Sequence, residues 1–400
     1  MRGRFLPTGD DHRVTSLELL FDLVFVYAIT AVSDSISHRL DLVGLTQGMV
    51  VMALVWFAWS AYAWLGNQAR ADEGPLRVSM FLAMAGFYVV ALTINEAFDD
   101  RPGGLRGPVV FVVAYAVIRL AHLTVYWFAA GDDRGLRRTI ERTLLTASVV
   151  LALLLVGAYV DPGPRLAIWS AAVLIDYVTV FLGATTGWRV AAPGHFAERY
   201  GLVVIIAIGE SVVSVGLAVN RAAIDWPLLG GALLGITLAI TLWRTYFNAI
   251  AVSAEHRLRE VSGDARTVMA RDTFTYLHLP LVAGIVAMAV GLRVMLDDVA
   301  LAERGHGHGV PAFAVMTLYG GSAAYLASLS VLRWRLRGRP SLPRLVTAAW
   351  LVAVGSLLAA VGVAPLTDVA VVTATFLALV TYDAWRYGQQ TRDLRLGLSS

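Results

Sequence analysis

The chain contains no cysteine and no lysine, and charged residues fill only 15% of its 400 positions. Without thiols there are no disulfides, no cysteine-ligated iron–sulfur clusters and no cysteine nucleophile. All 32 basic residues are arginines, so Schiff-base chemistry and lysine-based phosphate loops are excluded too. An ordinary globular domain carries about 25% charged residues; here no stretch is polar enough for a soluble domain, and the longest polar interval, residues 248–274, reads as a loop. No HExxH, dinucleotide fingerprint or nucleophile elbow occurs, and no spaced arginine ladder of the voltage-sensor kind. The formal net charge of +3 comes from arginines spread over many loops, which argues against a nucleic-acid partner. Neither a cofactor nor a metal is expected. The HGHG run at 306–309 supplies two histidines without a third ligand and reads as a turn.

What is present is hydrophobic sequence, 58% of the chain, in runs close to the roughly 20 residues that a helix needs to cross a bilayer. Hydropathy predicts an all-α polytopic bundle with spans near 17–37, 43–64, 78–98, 108–130, 144–160, 166–187, 200–219, 227–247, 275–296, 311–332, 344–362 and 364–385. The N-terminal segment is basic like a signal n-region, but the following run carries Glu18 and Asp22 and lacks a small-residue cleavage site, so a retained first helix is expected. With a cytoplasmic N-terminus, twenty-three arginines fall on cytoplasmic segments and six on outer ones, leaving Arg119, Arg244 and Arg293 inside spans. That asymmetry predicts an N-in, C-in topology in the plasma membrane. Trp56, Trp59, Trp64, Trp188, Trp243, Trp334 and Trp385 lie toward predicted helix ends and read as interfacial anchors.

Residues 21–29 (FDLVFVYAI) share four identities with 200–208 (YGLVVIIAI), and Trp59 and Tyr62 align with Trp243 and Tyr246 in the next span. A parallel 6+6 repeat or convergence on apolar composition explains this equally well. A repeat would divide the chain into a cytoplasmic tail 1–16, a first half 17–187, a linker 188–199, a second half 200–385 and a tail 386–400, with a substrate site between halves as in some transporters. The pairs Gly44/Gly48, Gly183/Gly187 and Gly231/Gly235, each four apart, mark candidate close packing.

An ionisable residue near the bilayer centre costs roughly 2.5–3.5 kcal/mol on insertion scales, so it normally faces the bundle interior and marks a pathway or a pair. By depth the candidates are Asp22, Arg119, His122, Asp176 and Glu210, with Glu18 and Arg244 nearer the ends. Thr15-Ser16-Leu17-Glu18 fits a capping box. Asp22, one turn deeper, is beyond any capping need; it either pairs with an arginine such as Arg244 or serves a solute or proton path. Glu210 sits between Gly209 and Ser211 at mid-span, where ion or proton binding competes with structural pairing. Arg119 and His122 share a helix face; Arg119 is a counter-ion for Asp176 or Glu210, and His122 either relays protons or only hydrogen-bonds.

SLELLFDLVFVYAIT resembles the opening signature of the bacterial low temperature requirement A (LtrA) family, and ERYGLVVIIAIGESVVSVG is similar to its second signature. IRLAHL, LWRTYF and YLHLPLVAGIV also resemble family segments, in the same order, over about residues 13–390; Leu20 stands where an aromatic is common. The resemblance implies a polytopic bacterial membrane protein of a family named for a cold-growth phenotype, without an agreed activity. Glu18, Asp22, Glu210 and Arg244 match its motif positions. The leading expectation is a transporter or permeation protein for a small solute or ion, coupled to protons through buried carboxylates. The alternatives are a membrane-embedded enzyme using Asp22, His122 or Glu210 as acid–base groups on a lipid, and a structural or stress-response protein whose charges pair off. The expected partners are the lipid bilayer and the small solute or ion; the oligomeric state is open.

Overall fold

The computed structural model describes residues 13–69, 71–72, 74–183, 188–219, 223–302 and 309–395, and among these every regular element is a helix. The helices are α1 (Ser16–His38), α2 (Leu42–Gln68), α3 (Gly74–Thr93), α4 (Gly107–Ala129), α5 (Arg134–Ala158), α6 (Pro162–Leu182), α7 (Pro193–Val219), α8 (Trp226–Tyr246), α9 (Val252–Glu260), α10 (Gly263–Ala270), α11 (His278–Ala302), α12 (Ala312–Arg337), α13 (Leu342–Val361) and α14 (Pro365–Arg395). Twelve helical stretches are long and apolar enough to cross a membrane, α10 and α11 counting as one, Gly263–Ala302. The outermost tails, Gly187 and the histidines of the HGHG run lie outside the described residues.

The chain divides into two compact units, Met1–Arg199 with Leu258–Arg271, and Tyr200–Arg257 with Asp272–Ser400. In the first unit α2 is the buried helix: Trp56, Trp59, Tyr62, Ala63 and Leu65 are all enclosed, as expected of a helix apolar on every side. Around it α1 buries Phe21, Phe25, Ile29, Val32 and Ile36 and leaves Leu19, Leu23 and Tyr27 exposed. In water such exposed apolar faces would drive association, whereas in a bilayer acyl chains solvate them. Helices α3/α4, α4/α5, α5/α6 and α2/α6 are neighbours in this unit. In the second unit the neighbours are α11/α12, α12/α13, α13/α14 and α8/α14.

The ends are closed by side chains. Arg165, at the start of α6, donates to the carbonyls of Gly157 (3.1 Å) and Val160 (2.9 Å) beyond α5 and of Ala97 (2.8 Å), satisfying acceptors that a helix C-terminus leaves open. Gly362 ends α13 with φ 72° and Pro365 opens α14, which makes the short predicted turn between two apolar runs.

Three sequence expectations change. Residues 248–274 are mostly helical, through α9, α10 and two π-helical turns at Phe247–Ala251 and Arg271–Tyr276; short helices that mix polar and apolar residues escape a hydropathy average. Helix α7 starts at Pro193, seven residues before the predicted boundary at 200, so His195 and Arg199 are helical and not in a linker. Trp56, Trp59 and Trp64 are buried and are not interfacial anchors, whereas Trp243, Trp334 and Trp385 are exposed.

Helices α11 and α12 approach each other closely in the second unit. A Cβ on Gly321 would stand 2.5 Å from the backbone N of Met288 and 2.6 Å from the carbonyl O of Gly284, and one on Gly291 would stand 2.5 Å from the backbone N of Leu318. Small residues let helices in lipid pack this closely. Replacing Gly321 by Leu is therefore expected to lower stability by at least about 3 kcal/mol. Gly320→Ala, one residue away in open space, is expected to raise it by roughly 0.5–1 kcal/mol. Unfolding of the detergent-solubilised protein by heat or denaturant checks both.

Candidate functional site

Three helix ends meet in the first unit. The N-cap Thr15 accepts the backbone N–H of Glu18 on its hydroxyl (3.3 Å), while its own N–H (2.9 Å) and hydroxyl (3.0 Å) donate to Glu18 Oε2. That completes the capping box and fixes the Glu18 carboxylate at the start of α1. On α7, His195 and Arg199 are four apart and so share a face. Arg199 reaches Glu18 Oε1 with Nη1 at 2.8 Å and Asp22 Oδ1 with Nη2 at 2.6 Å. Glu18 and Asp22, also four apart, are thus bridged by one guanidinium. From α2, Trp59 donates its indole N–H to Asp22 Oδ1 (2.8 Å), and the Arg199 guanidinium lies 5.6 Å from the Trp59 ring centre. His195 Nε2 is 3.1 Å from Glu18 Oε1. All four ionisable groups are buried, at 0–1% exposure.

Hydrogen bonding orients the histidine ring. Asn67 Oδ1 accepts the backbone N–H of Ala191 (2.8 Å), so its amide nitrogen faces the carbonyl of Ala192 (2.7 Å) and His195 Nδ1 (3.4 Å). An amide NH₂ only donates. Nδ1 therefore faces a donor, and Nε2 faces the Glu18 carboxylate. Two carboxylates thus share one guanidinium in a buried cluster. Asp22 Oδ2 is enclosed and has no hydrogen-bond partner among the described residues. A buried acceptor in that state costs about 1–3 kcal/mol unless a proton or donor occupies it. Gly66 keeps the space: a Cβ there would come within 2.9 Å of Glu18 Oε1.

The other predicted residues lie elsewhere. Arg119 Nη2 pairs with Asp176 Oδ1 at 3.2 Å, both side chains nearly inaccessible, and the guanidinium sits 4.4 Å from the Phe57 ring centre. His122 is enclosed between the rings of Tyr62 (5.3 Å) and Tyr126 (5.5 Å). Glu210 belongs to the second unit, buried, and accepts from the Ser214 hydroxyl at 3.2 Å. Arg244 ends α8 with its side chain exposed, so the arginine that pairs with Asp22 is Arg199. Arg199 and His195 were absent from the sequence candidates; their spacing of four, with Arg199 inside the second signature, was the available signal. A further unpredicted cluster lies in the second unit. His278 Nδ1 faces the Thr273 carbonyl (2.8 Å) released by the π-helical turn, and Nε2 accepts from the Tyr246 hydroxyl (2.8 Å). Among the described residues no three His, Asp or Glu side chains are arranged to hold a metal ion.

The profile of the bacterial low temperature requirement A protein family matches residues 13–381, nearly the whole chain. The chain belongs to the LtrA family. It is similar to an uncharacterised protein of Rhizobium meliloti (strain 1021), 28% identical over 308 residues that cover 74% of this chain and 71% of the relative. No solved structure matches it. The buried cluster of this LtrA protein joins the two family signatures recognised in the sequence, one contributing Glu18 and Asp22 and the other Arg199.

Removing the guanidinium leaves two buried carboxylates facing each other, so Arg199→Ala is expected to destabilise the LtrA protein by about 3–5 kcal/mol. Returning the cluster to its starting net charge in Glu18→Gln/Arg199→Gln is expected to recover part of that loss. A thermal-unfolding double-mutant cycle between positions 18 and 199 checks the coupling.

Proposed function

We propose that this LtrA protein moves a small solute or ion across the bacterial plasma membrane, with Asp22 carrying the coupling proton. The observation that carries the reading is the unsatisfied Asp22 Oδ2 in a buried cluster where two carboxylates share one guanidinium. One proton on that oxygen removes the charge of Asp22 and supplies the missing donor. Loss of the proton restores the charge, so the cluster has two electrostatic states that differ by one proton. Because Asp22 is bound to α2 through Trp59 and to α7 through Arg199, a change of its charge bears directly on how three helix ends are held together. A ligand or proton that favours one state shifts the population toward it.

Other features support the same reading. The arginine asymmetry supports cytoplasmic termini. Four neighbour pairs of the first unit, α3/α4, α4/α5, α5/α6 and α2/α6, have counterparts six spans later in the second, which supports a parallel duplication of six helices, and such repeats are a recurrent transporter design.

The test is transport by the full chain in proteoliposomes under an imposed pH gradient, with a panel of amino acids, sugars, carboxylates and monovalent cations. Uptake of at least one of these above protein-free vesicles is expected, and Asp22→Asn is expected to remove its dependence on the gradient. If nothing in the panel moves and the Asp22→Asn protein behaves as the parent does, the transport reading fails in favour of a structural role. Chemical turnover of a bilayer lipid that depends on Asp22 would favour the enzyme reading.

A further inference from the structure

Residues 333–344 carry five arginines and no acid, where α12 ends and α13 begins. Two of the five are matched by acids elsewhere in the second unit. Arg335 reaches Asp272 Oδ2 with Nη2 at 3.0 Å, and Arg344 reaches Asp383 Oδ2 with Nη2 at 2.8 Å. Arg337 and Arg339 are exposed and pair with no acid among the described residues. Arg337 donates from Nη2 to the Ser253 hydroxyl at 2.6 Å; that acceptor is neutral, so the charge of Arg337 stands.

The backbone that carries these two guanidiniums is held in place. Gly338 closes α12 with φ 71° and donates its N–H to the Trp334 carbonyl at 2.8 Å. The Ser330 hydroxyl in α12 accepts the N–H of Ser341 at 2.9 Å and donates to the Ser341 carbonyl at 3.2 Å. The turn between the two helices is thereby pinned to α12, and a ligand bound there has little backbone left to order.

Depth and surroundings point to a lipid. Trp334, 58% exposed, precedes Arg337 by one turn, or about 4.5 Å along the axis, and exposed indoles at helix ends sit at the headgroup level of a bilayer. Beyond the turn α13 exposes Leu342, Val346 and Trp350, an apolar stripe at i, i+4, i+8 that begins three residues after Arg339. A guanidinium fork fits phosphate oxygens. Two positive charges without acids call for a headgroup of net negative charge, since a zwitterionic one brings its own cation.

We propose that the α12–α13 turn binds an anionic phospholipid of the phosphatidylglycerol kind, its phosphate at Arg337 and Arg339 and its acyl chains along Leu342, Val346 and Trp350. The proposal does not depend on the transport reading.

Native mass spectrometry of the delipidated full-length protein tests it, with dioleoyl phosphatidylglycerol and dioleoyl phosphatidylcholine as probes. The glycerol lipid is expected to be retained about tenfold over the choline lipid. Arg339→Gln is expected to lower its retention about fivefold without changing the unfolding temperature, because that side chain is exposed and makes no bond. Arg339→Lys, which keeps the charge, is expected to restore most of the retention. Arg134→Gln removes the same charge from the exposed start of α5 in the first unit and is expected to leave retention unchanged. Equal retention of the two lipids, unchanged retention in Arg337→Gln/Arg339→Gln, or an equal loss in Arg134→Gln and Arg339→Gln overturns the proposal. Displacement of the bound lipid by soluble polyglutamate also overturns it, by assigning the surface to an acidic protein partner.

Discussion

One guanidinium shared by two carboxylates organises the charged end of the first unit. Arg199 is fully buried, and its desolvation is offset only because Glu18 and Asp22 approach it at 2.8 and 2.6 Å and Trp59 packs beside it. Buried ion pairs contribute little net stability when complete and cost several kcal/mol when one member is removed. Their effect is therefore on specificity: the start of α1, the last turns of α2 and the start of α7 have one mutual arrangement that satisfies these charges. The capping box belongs to the same network, because the oxygens of Glu18 that close the helix end also meet the second helix. Capping and ion pairing, which compete as explanations in the sequence, are here two uses of one side chain.

Polar groups in the apolar medium are satisfied in two ways. Full charges pair in the Glu18–Asp22–Arg199 cluster and the Arg119–Asp176 pair of the first unit and in the Arg344–Asp383 pair of the second. Around His278 the second relies on neutral groups: Tyr246 donates to the imidazole, and the Tyr200 and Thr275 hydroxyls lie 3.2 Å apart. Neutral networks of this kind fix packing without an electrostatic state to switch. The charged cluster has such a state, which is why the functional reading rests on Asp22.

Much of this architecture was legible in the sequence. Runs of about 20 apolar residues marked the twelve spans, and the Thr15–Glu18 spacing marked the first cap. Hydropathy failed where it averages. Arg199 and His195 fall in a short polar stretch, so α7 seemed to begin after them, and Asp22 was left to look for Arg244, which has the right depth and points outward. Trp59 illustrates a related limit: an indole near a helix end suits an interface or a buried carboxylate equally well, and only the neighbouring helices decide. The glycine pairs spaced by four did not mark the close α11/α12 contact, which lies at Gly284, Gly291 and Gly321, because spacing does not reveal which helix face meets another.

The central claim is that Asp22 holds an exchangeable proton inside the cluster. Infrared difference spectroscopy of the full-length protein in lipid, stepped between acidic and alkaline pH, tests it directly. The account predicts a protonated-carboxyl C=O band that appears and disappears with pH, shifts on exchange into D₂O, is absent in Asp22→Asn and persists in Glu210→Gln. A band unchanged by Asp22→Asn, or no carboxyl band at any pH at which the protein stays folded, would contradict it.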